Sequence, residues 1–150
     1  TSLVGQLNIP DSSTVYIDTS VIIYSVEKVP NYDLLLETLW QKLQANEVRV
    51  FSSELTLLET LVLPLRSANV KLVNDYEQLL LSSNMQLVPI DLAVLREAAR
   101  LRATTNLKTP DAIHAATALS EGCTIFLTND SQFRTVPGLS TIVLREILAA

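Results

Sequence analysis

The sequence predicts an α/β fold, a mainly parallel sheet with helices on both faces. Three observations carry this. Short β-rich runs alternate with helical ones along the chain, which requires crossover connections between parallel strands. The runs TVYI (14–17) and TIFL (124–127) are largely apolar, as strands buried on both faces are. Apolar residues make up 48% of 150 and charged residues 18%, the composition of one globular domain with room for a core.

The elements follow in order. Residues 14–17 read as the first strand. Residues 31–45 read as a helix with Leu34, Leu35, Leu39 and Leu43 on its apolar side. VRVF at 48–51 is the second strand. Residues 53–66 are helical, with Ser52 or Ser53 as N-cap, and a further helix runs from 69 or 70 to 81. Residues 86–90 form a third strand, and 91–104 a helix capped by Asp91. Thr109 and Pro110 suit the N-cap and first position of a helix that runs to 120. A fourth strand at 124–127 and a fifth at 141–144 complete the pattern. Residues 1–13 precede the first strand and are read as an N-terminal extension, an added strand or arm, to a domain at 14–150.

Composition removes several functional classes. With a single cysteine, Cys123, neither a disulfide within the chain nor a thiolate zinc site can form; Cys123 reads as a core thiol, and a reducing, cytoplasmic setting is expected. No basic start leads into an apolar run, and the apolar stretch at 55–65 is broken by Glu59 and too short to span a bilayer. Only Gly5, Gly122 and Gly138 are present, so neither a dinucleotide fingerprint nor a P-loop can be written. The net charge of −5 argues against coating nucleic acid by bulk electrostatics. It is compatible with gripping phosphate locally through a cation.

Ligands of open parallel sheets bind beyond the carboxyl ends of the strands, so acids there come first. Asp18 directly follows TVYI and Asp130 follows TIFLTN. Either could equally be a turn or capping residue. Glu59 lies in ELTLLETLVLPL, where it either pairs or binds metal, or joins Thr56 and Thr60 in a solvated stripe. Asp111 follows Thr109-Pro110 in a first helical turn, where the helix dipole alone would favour it. Considered together, two acids come from strand ends and two from helices that should pack beside them. Converging carboxylates do not all ionise cheaply without a cation. Oxygen-only ligation suits Mg²⁺ or Mn²⁺, ions that activate water and offset charge on a phosphodiester.

Other chemistries fit less well. His114 is the sole histidine, which excludes a two-histidine acid–base pair, and no serine sits in a G-x-S-x-G turn. His114 reads as a packing residue or a support for a neighbouring acid, with Asp111 one turn earlier as a hydrogen-bond neighbour. Trp40 reads as core rather than as a base-stacking platform.

The same residues carry a resemblance to the PIN-domain family. VYIDTSVIIY resembles its first motif: a strand, an aspartate, and Ser or Asn two residues on. FSSELTLLET is similar to the second, with Thr56 three positions before Glu59. LKTPDAIHAATAL is close to the third and IFLTNDSQF to the fourth, T-x-D-x-x-F. The resemblance spans residues 14 to about 143, and its best subgroup match is the VapC-like toxin ribonucleases of toxin–antitoxin pairs. It implies an α/β/α sandwich and a Mg²⁺- or Mn²⁺-dependent endoribonuclease, usually a homodimer, inhibited by an antitoxin protein. It implies Asp18, Glu59, Asp111 and Asp130 as catalytic metal ligands, with water as nucleophile and Ser20, Thr128 and Asn129 as supporting groups. Arg66, Lys71, Arg100, Arg102 and Lys108 are candidates for contacts with RNA phosphates. The surplus of leucine at 55–65 and 72–81 suggests a dimer surface. The alternative is a non-catalytic PIN-like scaffold, binding protein or serving RNA processing without cutting.

Overall fold

The computed structural model describes residues 5–149. Five strands, β1 (Thr14–Ile17), β2 (Arg49–Ser53), β3 (Gln86–Val88), β4 (Ile125–Thr128) and β5 (Thr141–Val143), form one sheet. Their order is β3-β2-β1-β4-β5, and every pairing is parallel. β1 is central, with Tyr16 in register with Phe51 on one side and Phe126 on the other. Helices α1 (Thr19–Val26), α2 (Tyr32–Gln44), α3 (Glu54–Arg66), α4 (Val70–Ser82), α5 (Leu92–Thr104) and α6 (Thr109–Ser120) supply the crossovers up to β4, a 3-10 turn connects β4 to β5, and α7 (Leu144–Ala149) follows β5. The α/β/α sandwich expected from the sequence is the fold observed.

Because strand side chains alternate, the two faces differ chemically. Val15, Ile17, Val50 and Leu127 enter an aliphatic cluster with Val21 and Ile22 of α1, Leu35, Leu36 and Leu39 of α2, and Leu80 of α4. Tyr16, Phe51 and Phe126 enter the opposite cluster against α5 and the alanine-rich α6. The rings of Tyr16 and Phe126 stack at 5.1 Å, and Phe126 meets Phe133 at 4.5 Å. Large rings on the strands require small residues on the covering helix. Ala112, Ala115, Ala116 and Ala118 meet that requirement, each fully buried. Cys123, expected in the core, is half-buried against the edge of this second cluster, and burial pushes its thiol up to about 12.

Local capping places most helix starts where the sequence put them. Ser53, Asn69 and Asp91 accept from Leu55 N, Leu72 N and Val94 N. One start differs: Lys108, not Thr109, occupies the N-cap of α6. The Thr109 hydroxyl instead accepts from Arg102 Nη1 at 2.8 Å, tying α6 to the end of α5. The run VIIY, unassigned from the sequence, is helix α1, short because Glu27 and Lys28 leave helical geometry within ten residues of Asp18. α7 and the 3-10 turn Ser131–Thr135 were also unassigned; both are too short for a helical period to register.

Of the proposed extension 1–13, residues 1–4 lie outside the described residues. Residues 5–13 contain no strand. They lie against the body of the domain: Leu7 and Ile9 are buried in the aliphatic cluster. A Cβ at Gly5 would meet the Ile147 carbonyl oxygen at 2.3 Å, so only glycine allows this close approach to α7. Among the described residues no helix is long and apolar enough to cross a membrane.

Candidate functional site

The chain leaves β1 at Ile17, and Asp18 caps α1. Its Oδ1 accepts from Ser20 Oγ at 2.6 Å and Val21 N at 3.4 Å. Its Oδ2 accepts from Thr128 Oγ1, at the end of the adjacent β4, at 2.5 Å. Asp18 thus caps α1 and is tied to the end of β4 at once. Burial pushes its carboxyl above the usual carboxylate range; His114, Ser20 and Thr128 pull it only part of the way back.

Thr128 also accepts from Asp130 N at 3.0 Å, which turns the chain out of β4. Asp130 then caps the 3-10 turn, accepting from Gln132 N at 2.9 Å. Asn129 makes a separate set of contacts at the cavity's edge. Its Nδ2 donates to the hydroxyls of Tyr24 and Tyr32, whose rings stack at 4.4 Å, and its Oδ1 accepts from Arg145 N. The Arg145 guanidinium donates to the Asn129 carbonyl.

Asp111 projects from the first turn of α6. Among the described residues its carboxylate has no hydrogen-bond partner, in contrast to Asp18. Burial pushes its carboxyl up, and the charge of Asp130 adds to this; His114 opposes, while Asp18 and Glu59 push further in the same direction. Glu59, on α3, behaves oppositely. Burial pushes it up, yet hydrogen bonds from His114 and Thr19 outweigh burial and hold it below its ordinary value. Its Oε1 accepts from Thr19 Oγ1 at 2.6 Å and from His114 Nε2 at 2.8 Å. The partner of His114 is therefore Glu59 and not Asp111. One helical turn brings residues 111 and 114 to the same side, but the imidazole points down toward the sheet, where Nδ1 meets Tyr16 OH at 2.6 Å.

Asp18, Glu59, Asp111 and Asp130 line one cavity of about 320 Å³ together with Ser20, Thr128 and Asn129. Thr19, Tyr24, His114 and Phe133 complete it. Thr19 went unrecognised in the sequence because its role depends on Glu59, 40 residues away. Of the basic candidates, Lys71 pairs with Asp75, Arg100 with Glu97, and Arg102 with Leu107 O and Thr109. Arg66 lines a neighbouring depression that shares Glu59 with the cavity. Arg145, which the sequence did not single out, sits beside the acids through Asn129.

Among the described residues, no three His, Cys, Asp or Glu side chains already stand in a metal-holding arrangement. The donor set nevertheless fits a hard cation. It is all oxygen, and Asp111 has a raised carboxyl, no hydrogen-bond partner among the described residues, and Asp130 as the charge that repels it most. A cation would relieve that repulsion.

No curated protein matches the chain. Several solved structures share its fold. VapBC2 from Rickettsia felis, bound to a DNA fragment from its promoter, aligns with a TM-score of 0.67 at 19% identity, over 86% of this chain and 98% of that one. VapBC-1 from nontypeable Haemophilus influenzae aligns with a TM-score of 0.66 at 17% identity, over 88% and 98%. FitAcB from Neisseria gonorrhoeae gives 0.60 at 23% identity, over 85% and 96%. At such identities the likeness concerns the fold. The PIN domain family matches in sequence over residues 15–139, a stretch that contains every acid of the cavity, and the chain belongs to that family.

Proposed function

We propose that this protein is a Mg²⁺- or Mn²⁺-dependent endoribonuclease of the VapC-like kind, the toxin of a toxin–antitoxin pair acting in the cytoplasm. The observation that carries this reading is the convergence of Asp18, Glu59, Asp111 and Asp130 on one cavity beyond the carboxyl end of the sheet, with Asp111 unpartnered. The likeness in fold to the two VapBC structures supports it.

Asp18, Glu59, Asp111 and Asp130 would hold the cation. A divalent cation supplies a nucleophilic water at neutral pH and compensates charge on the phosphodiester. Ser20 and Thr128 keep the Asp18 carboxylate in one orientation by donating to separate oxygens. Asn129 anchors the loop that bears Asp130 by tying it to Tyr24, Tyr32 and Arg145. Arg66, Arg145 and Lys108, which caps the helix bearing Asp111, are basic groups near the cavity that would receive the RNA backbone, which a net charge of −5 would otherwise repel.

An antitoxin would inhibit by placing an arginine among these acids, where a guanidinium imitates the cation and pairs in bidentate fashion. The exposed apolar side chains Leu58, Val62, Leu63 and Leu65 of α3 support a homodimer. They also favour the second reading, a non-catalytic PIN-like module that recruits a partner through this helix. Incubation of short RNAs with the purified protein and Mn²⁺, with chelator as control, separates the two. Metal-dependent cutting is expected; no cutting of any RNA, together with no Mn²⁺ binding by calorimetry, would leave the module.

A further inference from the structure

We infer that His114 and Tyr16 are positioning residues that lock one oxygen of Glu59, so that Glu59 meets the reaction through its other oxygen alone. The inference rests on the endoribonuclease reading for its consequence, and on the geometry of three buried or half-buried side chains for its cause.

Two donors converge on Glu59 Oε1: Thr19 Oγ1 at 2.6 Å and His114 Nε2 at 2.8 Å. The same Nε2 lies 3.2 Å from Thr19 Oγ1. The threonine hydroxyl has one proton, which the shortest of these contacts directs to the carboxylate. An unprotonated Nε2 would then aim a lone pair at a carboxylate oxygen and at a hydroxyl already committed. Nε2 must therefore carry hydrogen, shared between Glu59 and Thr19. In the neutral ring this leaves Nδ1 as an acceptor, and Tyr16 OH stands 2.6 Å away to donate to it. The result is an ordered chain, Tyr16 to His114 to Glu59, in which each group has one role.

The chain is held rigidly. Tyr16 has no exposure, lies in central strand β1, and stacks on Phe126 with its ring nearly parallel. His114 is 2% exposed, within the wholly buried run from Ala112 to Ala118 of α6. The sheet core thus reaches the cavity through one imidazole. Both donors occupy Oε1, and Oε2 accepts from no described residue. This differs from Asp18, whose two oxygens are both engaged by hydroxyls. Glu59 is accordingly oriented from one side and free on the other, the arrangement that a partner hydrogen bond gives to a metal-facing carboxylate.

His114 is the only histidine, so ¹⁵N-histidine labelling yields a single pair of ring signals. At pH 8 the wild type should show a protonated Nε2 whose signal shifts when Mg²⁺ is added and when Glu59→Gln is introduced. An unprotonated Nε2 would overturn the inference. Tyr16→Phe keeps the stacked ring and removes only the hydroxyl. It should lower kcat and Mn²⁺ affinity by about 10-fold or more, in the range typical of groups that orient metal ligands, with KM for RNA little changed. His114→Gln retains an N–H donor and should recover part of the loss seen in His114→Leu. Tyr76→Phe removes another buried hydroxyl, one that donates to Glu27, and should affect melting alone. A Tyr16→Phe protein that melts lower but keeps Mn²⁺ affinity and kcat would show the hydroxyl to be merely structural and overturn the role. A wild type that neither binds Mn²⁺ nor cuts RNA would instead remove the nuclease reading and the role with it, a result distinct from an active wild type indifferent to both substitutions.

Discussion

The cavity at the carboxyl end of the sheet and the outer face of α3 break the same rule in opposite senses. The cavity gathers charge where burial disfavours it: Asp18 is 7% exposed, and Asp111 is repelled by Asp130. The helix face leaves oil in water, with Leu58 62%, Leu63 69% and Leu65 62% exposed. Each arrangement costs free energy in the isolated, metal-free chain. Each cost would be removed by something added from outside, a cation in one case and a protein surface in the other. Capping and turn formation explain Asp18 and Asp130 locally, and the helix dipole favours an acid in the first turn of α6. Neither explains why Asp111, beside Asp130, stands without a hydrogen-bond partner among the described residues, or why the three leucines are exposed. Departures that remain after local explanations are used up are the ones to assign to function.

The largest expected effect separates the two regions outright. Asp111→Asn should reduce RNA cleavage by more than about 100-fold, beyond the roughly 10–100-fold cost of losing a group that only orients a ligand. Its oligomeric state should not change. Cleavage assays and light scattering on one preparation check both, and substantial residual cutting would remove Asp111 from the metal ligands.

Metal addition comes next. At a Mn²⁺ concentration near 100 times its Kd, the wild type should gain about 2.7 kcal/mol, or roughly 5–10 °C of Tm in a domain of this size. The gain should be absent in Asp111→Asn. Thermal melts with chelator and with Mn²⁺ measure it, and a wild type indifferent to Mn²⁺ would equate the cavity with an ordinary polar cleft.

On the apolar side, Leu58→Glu combined with Leu63→Glu should weaken self-association by about 30-fold or more, the consequence of losing about 2 kcal/mol at a central contact. Mn²⁺ binding should be unaltered. If the wild type is already a monomer at micromolar concentration, the leucines face a different partner.

The smallest effect is the most diagnostic of mechanism. The carboxyls of Asp18 and Asp111 are raised in the folded protein, so the stability they contribute is fully present below the unfolded aspartate value, about 3.9. It is lost as pH rises through their folded values. Glu59, held low, contributes in the opposite sense: its share is present above its unfolded value and is lost as pH falls through its folded one. In chelator, Asp111→Asn should therefore melt above the wild type by an amount that grows from pH 4 to pH 7. Asp18→Asn should gain less, because that carboxylate accepts from Ser20, Val21 and Thr128 and the amide forfeits part of this. A larger gain for Asp18→Asn would reverse the contrast between a satisfied and an unsatisfied acid.

The sequence by itself determined whatever depends on neighbours within about one helical turn. Ser53, Asn69 and Asp91 cap their helices from signals at most three residues away. The β-rich runs specified their own strands, and their alternation with helices specified a parallel sheet. Asp18, Asp111 and Asp130 could be named from their places after strands and in a first turn, and Glu59 as a carboxylate among leucines within a helix. Tertiary structure decided how those acids differ. Thr128 reaches Asp18 across 110 positions, Tyr16 reaches His114 across 98, and His114 reaches Glu59 across 55. These contacts depend on strand order and on the rotation of α3 and α6 about their axes; for α6 that rotation follows from fitting its small side chains against the Tyr16 and Phe126 rings, and for α3 from burying Leu57 and Leu61 on the aliphatic face. A helical repeat tells which residues share a side; only packing against the sheet tells which side faces the cavity. That is why His114 found Glu59 rather than the aspartate one turn before it.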